Sequence, residues 1–211
     1  MIDAFKTVLV LAPHTDDGEF GCGGTMARLV AAGCSVHQIA FSIASRSLPE
    51  GFAPDTLVHE SRAASDVLGL APDALTVHRF EVRTFPAVRQ EILELLVEVA
   101  RELAPDCVLM PTISDIHQDH HTVAAEGLRA FKRTTILGYE VPWNQFRFDK
   151  QCYVTLDEEH IAAKVRALEC FRSQQHRNYA NEEFIRNLAR THGIEIGRQY
   201  AECFEVVRWV S

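Results

Sequence analysis

"LVLAPHTDDGEFGCGGTMARL", residues 9–29, runs apolar into Pro13, then sets His14, Asp16 and Asp17 ahead of glycines at 18, 21, 23 and 24. The preceding run, residues 6–12, is short, β-branched and bounded, as a buried parallel strand is. From Gly24 to Ala32 the pattern becomes helical, and Gly33 supplies a stop. Glycines after a strand often cradle a nucleotide's phosphates at a helix N-terminus. This spacing is not GxGxxG, no GK[ST] follows, and two carboxylates would repel the pyrophosphate. The glycines are better read as letting the chain turn sharply off its strand and bring the helix close.

Working outward, the same alternation continues. Strands are expected at 35–43, 75–82, 107–111, 135–141, 152–156 and 201–209. Helices are expected at 56–68 (stopped by Gly69), 87–103, from the loop 112–121 to Phe131, 158–171 and 181–191. Strand and helix in alternation imply parallel pairing through right-handed crossovers. The expected fold is therefore a three-layer α/β/α sandwich around a Rossmann-like, mostly parallel sheet, in a single domain over residues 1–211. In such sheets, sites gather beyond the carboxyl ends of the strands. The polar clusters at 14–17 and 115–121 both follow strand ends, so they should face one crevice.

Composition narrows the function. The 211 residues hold 21 basic and 29 acidic side chains, a formal net charge of -8. That argues against nonspecific binding to nucleic acid or anionic membranes, which rests on a basic surface. No apolar run approaches the roughly 20 residues of a membrane span, and the N-terminus lacks a signal peptide's basic region. The six cysteines are scattered without a CxxC pair, as reduced thiols in a cytoplasmic protein are. Cys22 reads as a small residue packed at a tight turn.

The acids make sense with a cation between them. His14 and Asp17 stand three residues apart in a turn, and His117 and His120 in "SDIHQDHH" share that spacing. Imidazole nitrogen and carboxylate oxygen bind zinc at about 2.0–2.2 Å, and a catalytic zinc takes three protein ligands and leaves one position open. The two clusters hold more candidates than that, and the surplus can supply a base and an electrophile. The same donors would also accept Fe2+, Mn2+ or Co2+.

"PHTDDGEFGCGGT" followed by "HQDH" resembles the LmbE/PIG-L family of zinc-dependent de-N-acetylases, whose motifs are AHPDDE with a later GGT, and HPDH. "HESRAASDVLGL" (59–70) and "YAECFEV" (200–206) extend the resemblance. Thr15 stands where the family has Pro, and Gly18 where it has Glu, with Glu19 displaced by one. The resemblance implies that His14, Asp17 and His120 bind Zn2+, and that Asp16 is the general base. It also implies that His117 is an electrophile or acid and Asp119 its orienting partner. The implied reaction removes acetate from an N-acetylated amino sugar or glycoconjugate. Competing readings are hydrolysis of another N-acyl amide or a phosphoester, and a silent family member that binds sugar or metal without turnover.

Asp115 is open between a partner for a ligating histidine and a helix N-cap, and His121 reads as a residue of the first helical turn. Substrate contacts are sought where strands end: Arg83, Trp143 and Asn144, then Arg46, with Ser173, Gln174 and Arg177 behind them. A homo-oligomer is compatible with the sequence, which does not decide the point.

Overall fold

The computed structural model describes residues 2–211. Strand β1 (Thr7–His14) is the centre of the sheet, and Val8, Leu9, Val10 and Leu11 are fully buried. A strand apolar at every position must be covered on both faces. It pairs in parallel with β2 (Ser35–Ser42) on one side and β4 (Cys107–Pro111) on the other. Beyond them, also parallel, lie β3 (Leu75–Val77) and β5 (Thr135–Tyr139). The far edge is formed by β6 (Cys152–Leu156) and β7 (Tyr200–Arg208), with β7 antiparallel between β5 and β6. The order is β3-β2-β1-β4-β5-β7-β6.

Val8 and Val10 face a core closed by α1 (Asp17–Ala31), α2 (Thr56–Leu68), α5 (Glu158–Glu169) and α6 (Glu182–Glu195). Leu9 and Leu11 face the other, closed by α3 (Arg89–Leu103) and α4 (Gln118–Ala130). The expected three-layer sandwich is present. The chain leaves β1 toward β2 and returns on its other side at β4. That reversal opens a crevice at the carboxyl ends of β1 and β4.

The structure corrects the sequence reading at three places. Helix α1 begins at Asp17, not Gly24, and is broken inside at Cys22 (φ -147°, ψ 23°). The glycines therefore belong to the helix rather than to a turn. A Cβ on Gly21 would stand 2.2 Å from the Tyr139 ring, and one on Gly24 would stand 2.6 Å from Leu156. Close approach to the sheet is the part of the expectation that holds. The polar groups freed at the break are met by a buried pair. Lys164 Nζ donates to the Phe20 carbonyl (2.7 Å), and Glu202 accepts from the Gly24 and Thr25 amides (3.0 and 2.7 Å). Lys164 and Glu202 meet at 2.6 Å.

Second, the strand expected at 75–82 is regular only over Leu75–Val77; the His78 and Phe80 amides still donate to the Ala40 and Phe41 carbonyls of β2 before the chain leads into the crevice. Third, α4 starts at Gln118, inside the stretch expected to be loop, so Asp119 and His120 lie in its first turn.

Candidate active site

His14 is the last residue of β1, Asp17 the first of α1, and His120 lies in the first turn of α4. Three elements thus deliver three donors to one point. His14 Nδ1 lies 3.0 Å from Asp17 Oδ2, His120 Nε2 lies 3.2 Å from that same oxygen, and the two nitrogens are 3.3 Å apart. Ligands held at about 2.0–2.1 Å around a tetrahedral ion stand about 3.3 Å from one another. Two neutral imidazoles and one carboxylate in that triangle fit a divalent cation such as zinc.

Each imidazole's remaining nitrogen is held by a buried carboxylate. Asp115 Oδ2 stands 2.8 Å from His120 Nδ1, while its Oδ1 accepts the His117 amide at 2.8 Å. Of the two roles left open for Asp115, it fills that of partner to the His120 ring, while the N-cap of α4 is His117, whose Nδ1 accepts the Asp119 amide. Asp119 Oδ2 stands 3.1 Å from His14 Nε2. This corrects the expected orienting partnership: the Asp119 carboxylate serves His14, and only its backbone N–H reaches His117, at Nδ1 (3.2 Å). Asp119 also accepts from the amides of Arg83 (2.6 Å) and Phe85 (3.3 Å).

The charges explain the titration. Burial would lower His14 and His120, but Asp17, with Asp119 and Asp115, overrides it and raises them to about 9 and about 10. Burial would raise Asp17, but the two histidines hold it well below the usual carboxylate range. The apoprotein thus keeps positive charge on the imidazoles where a cation would sit. Asp16 behaves oppositely: burial first, then the Asp17 charge, push it up to about 6. Burial, then the charges of His120 and His14, lower His117, whose Nδ1 is occupied as an acceptor. With its pKa lowered and Nδ1 accepting from the Asp119 amide, His117 is suited to the electrophile's role more than to the acid's.

Asp16 and His117 line a cavity of about 300 Å³ together with His14, Asp17 and His120. Arg83, Trp143 and Asn144 line it too, as do Gln174, Arg177 and Tyr179. Trp143 stacks on Tyr179 at 3.7 Å and meets Phe20 edge-on. Arg46 stands outside this cavity, on the groove beside it, paired with Glu81 at 2.8 Å. Tyr179 went unnoticed in the sequence because it lies in an irregular segment with no periodicity to mark it. His121 is exposed on α4, as expected, and the displaced Glu19 is buried against Gln38 Nε2 (3.2 Å), away from the cavity lining.

His117 also brings a ring nitrogen within 4.8 Å of those of His14 and His120, and a separate donor group, Glu140, His192 and Cys203, converges within the same distance. There His192 is already paired with Glu140 at 2.8 Å, and burial with the Glu140 charge drives the Cys203 thiol far up. A protonated thiol is a poor ligand. All six cysteines are free, and no described helix is long and apolar enough to cross a membrane.

Several known proteins resemble this chain. The chain is 27% identical over 173 residues to an uncharacterized deacetylase of Escherichia coli, YaiS, covering 80% of this chain and 91% of that protein. It is 28% identical over 222 residues to the diacetylchitobiose deacetylase of Thermococcus kodakarensis, covering 93% and 81%. The fold superposes on the N,N'-diacetylchitobiose deacetylase of Pyrococcus horikoshii with a TM-score of 0.80 at 20% identity, over 97% of this chain and 84% of that one. Residues 9–131, which hold both His/Asp clusters, match the PIG-L family model, described as GlcNAc-PI de-N-acetylase. The chain belongs to the PIG-L family of de-N-acetylases.

Proposed function

We propose that the protein is a zinc-dependent hydrolase that removes the acetyl group from an N-acetylated amino sugar or sugar conjugate. The observation that carries this is a division of labour between adjacent residues: Asp17 closes the triangle of donors, while Asp16 lines the same cavity and pairs with none of the imidazoles. His14, Asp17 and His120 would hold the ion. A zinc ion there supplies a Lewis acid for the amide carbonyl and makes water a better nucleophile.

The chain's own groups do the rest. Asp16, with a pKa near 6, takes a proton from the attacking water and returns it to the amine as the C–N bond breaks, leaving acetate and a free amino sugar. His117 Nε2–H donates to the carbonyl oxygen as charge develops on it. Asp119 and Asp115 fix the rings of His14 and His120. The Trp143–Tyr179 pair offers an apolar face for a pyranose ring, with Asn144, Arg83 and, farther out, Arg46 for its polar groups.

Asp16→Ala tests the proposal. Acetate release from N-acetylated sugars should fall by about 10²-fold or more while one equivalent of zinc stays bound. Asp17→Ala should lose the zinc. Full turnover by Asp16→Ala, or loss of its zinc, overturns the assignment.

A further inference from the structure

Glu60 lies on α2, outside the catalytic cavity, and is 9% exposed. Both of its carboxylate oxygens are spent on one residue. Oε1 accepts the Ser173 amide (2.9 Å), and Oε2 accepts the Ser173 hydroxyl (2.7 Å). That hydroxyl accepts in turn from Gln174 Nε2 (3.0 Å), and Gln174 Oε1 accepts from Arg177 Nε (2.8 Å). Every side-chain bond in this relay donates toward Glu60, with a guanidinium at one end and a carboxylate at the other. Bonds aligned in this way polarise and strengthen one another where water is excluded. Ser173 and Gln174 are 1% and 3% exposed.

The relay ends on the wall of the cavity. Arg177 Cζ lies 5.9 Å from the centroid of the Tyr179 ring, within reach of a cation–π contact. Tyr179 stacks on Trp143, and both rings meet Phe20 edge-on. Gln174, Arg177, Tyr179 and Trp143 all line the cavity. Between the turn Arg172–Gln174 and α6 the chain makes only turns and bends, so no helix or sheet ladder fixes where Arg177 and Tyr179 stand.

We infer that Glu60 is a positioning residue for substrate: through Ser173, Gln174 and Arg177 it holds the Tyr179–Trp143 wall against which the ring of the N-acetylated sugar binds. The inference rests on the deacetylase reading and gives its ring-binding wall an anchor on a separate helix. Only a carboxylate serves both Ser173 donors at once, since an amide offers a single oxygen and sets an N–H against the hydroxyl. A wall that grips the ring equally before and during the reaction lowers KM and leaves kcat alone.

The test is the kinetics of acetate release by the zinc-loaded protein from the methyl glycoside of N-acetylglucosamine and from N,N'-diacetylchitobiose. Ser173→Ala removes the hydroxyl from the relay and keeps the amide bond to Glu60. Ser173→Ala and Glu60→Gln should each raise KM about tenfold, roughly the worth of one hydrogen bond, with kcat and bound zinc nearly unchanged. Because Glu60 acts through Arg177, Ser173→Ala should add little to the loss caused by Arg177→Met. The chain has two tryptophans, so in a Trp209→Phe background Trp143 alone emits. Acrylamide should then quench that emission more readily in Ser173→Ala and Glu60→Gln than in their parent. Losses that simply multiply with that of Arg177→Met overturn the inference. So does an unchanged KM beside a lower melting temperature or a lower kcat, since Glu60 would then serve the fold alone. Each of these outcomes leaves the deacetylase reading standing. If the parent protein releases acetate from neither sugar, that reading fails, and Trp143 quenching decides the anchor by itself. Quenching unchanged by both substitutions overturns it.

Discussion

Asp115 Oδ2 stands 2.8 Å from His120 Nδ1, with both side chains nearly sealed from solvent. A carboxylate there fixes the ring and the tautomer that turns Nε2 toward Asp17. Asp115→Asn should lower zinc affinity by about 10–100-fold, measured by competition with a chelator, with little change in the folded structure.

Zinc uptake should release protons. At pH 7 the apoprotein carries protons on His14 and His120, whose pKa values are about 9 and about 10. Ligation needs both imidazoles neutral. Affinity should therefore climb from pH 7 toward pH 9 and level off above the folded pKa values. Calorimetry in buffers of different ionisation enthalpy counts the protons. The sign for stability follows: these raised values stabilise the apoprotein fully below the unfolded histidine value of about 6.5. That contribution is lost as pH rises through 9 to 10. The apoprotein's melting temperature should fall over that range, and the zinc form's should fall less.

Gly21→Ala sets two effects against each other. Alanine favours a helix over glycine by about 1 kcal/mol, but its Cβ would lie 2.2 Å from the Tyr139 ring. That ring is fully buried and its hydroxyl donates to the Leu11 carbonyl at 2.8 Å, so it has little room to move. The clash should win, at a net cost of about 1–3 kcal/mol, read as a lower denaturation midpoint.

Lys164→Met should cost more, about 3–5 kcal/mol, the usual penalty for stranding one charge of a buried pair. It leaves Glu202 unpaired and the Phe20 carbonyl without its donor. Adding Glu202→Leu should not restore stability, because the Gly24 and Thr25 amides would then lose their acceptor. Urea unfolding of the single and double variants measures both.

Much of this was legible in the sequence, and the exceptions share a cause. The core strands announce themselves by unbroken apolar runs, and α2 by its period and the glycine at its end, where Gly69 takes φ 80°. The proposed metal ligands stand out because histidine and aspartate gather in two clusters, each past a strand end. What failed was local inference at positions that tertiary contacts decide. Four glycines look like a turn until Tyr139 and Leu156 are seen against them. "LTVHRFEV" alternates like a strand, yet its regular pairing ends at Val77 and its last bond to β2 is from Phe80, just before Arg83 and Phe85 give their amides to Asp119. Asp119 is two residues from His117 in sequence, but its carboxylate points across the crevice to His14.

The glycine-rich start of α1 also sets an order of events. Glycine is a poor helix former, and a helix with four of them within its first eight residues has little tendency to exist alone. Gly18 lies against Val10 and Gln38, but the partners of the other three, Tyr139, Leu156, Lys164 and Glu202, are all far downstream. As the chain leaves the ribosome, His14, Asp17 and His120 are all synthesised by residue 120, yet the acceptor for the Gly24 and Thr25 amides arrives only with Glu202. The three proposed ligands are thus made long before the last contacts of the helix that begins at Asp17 can form.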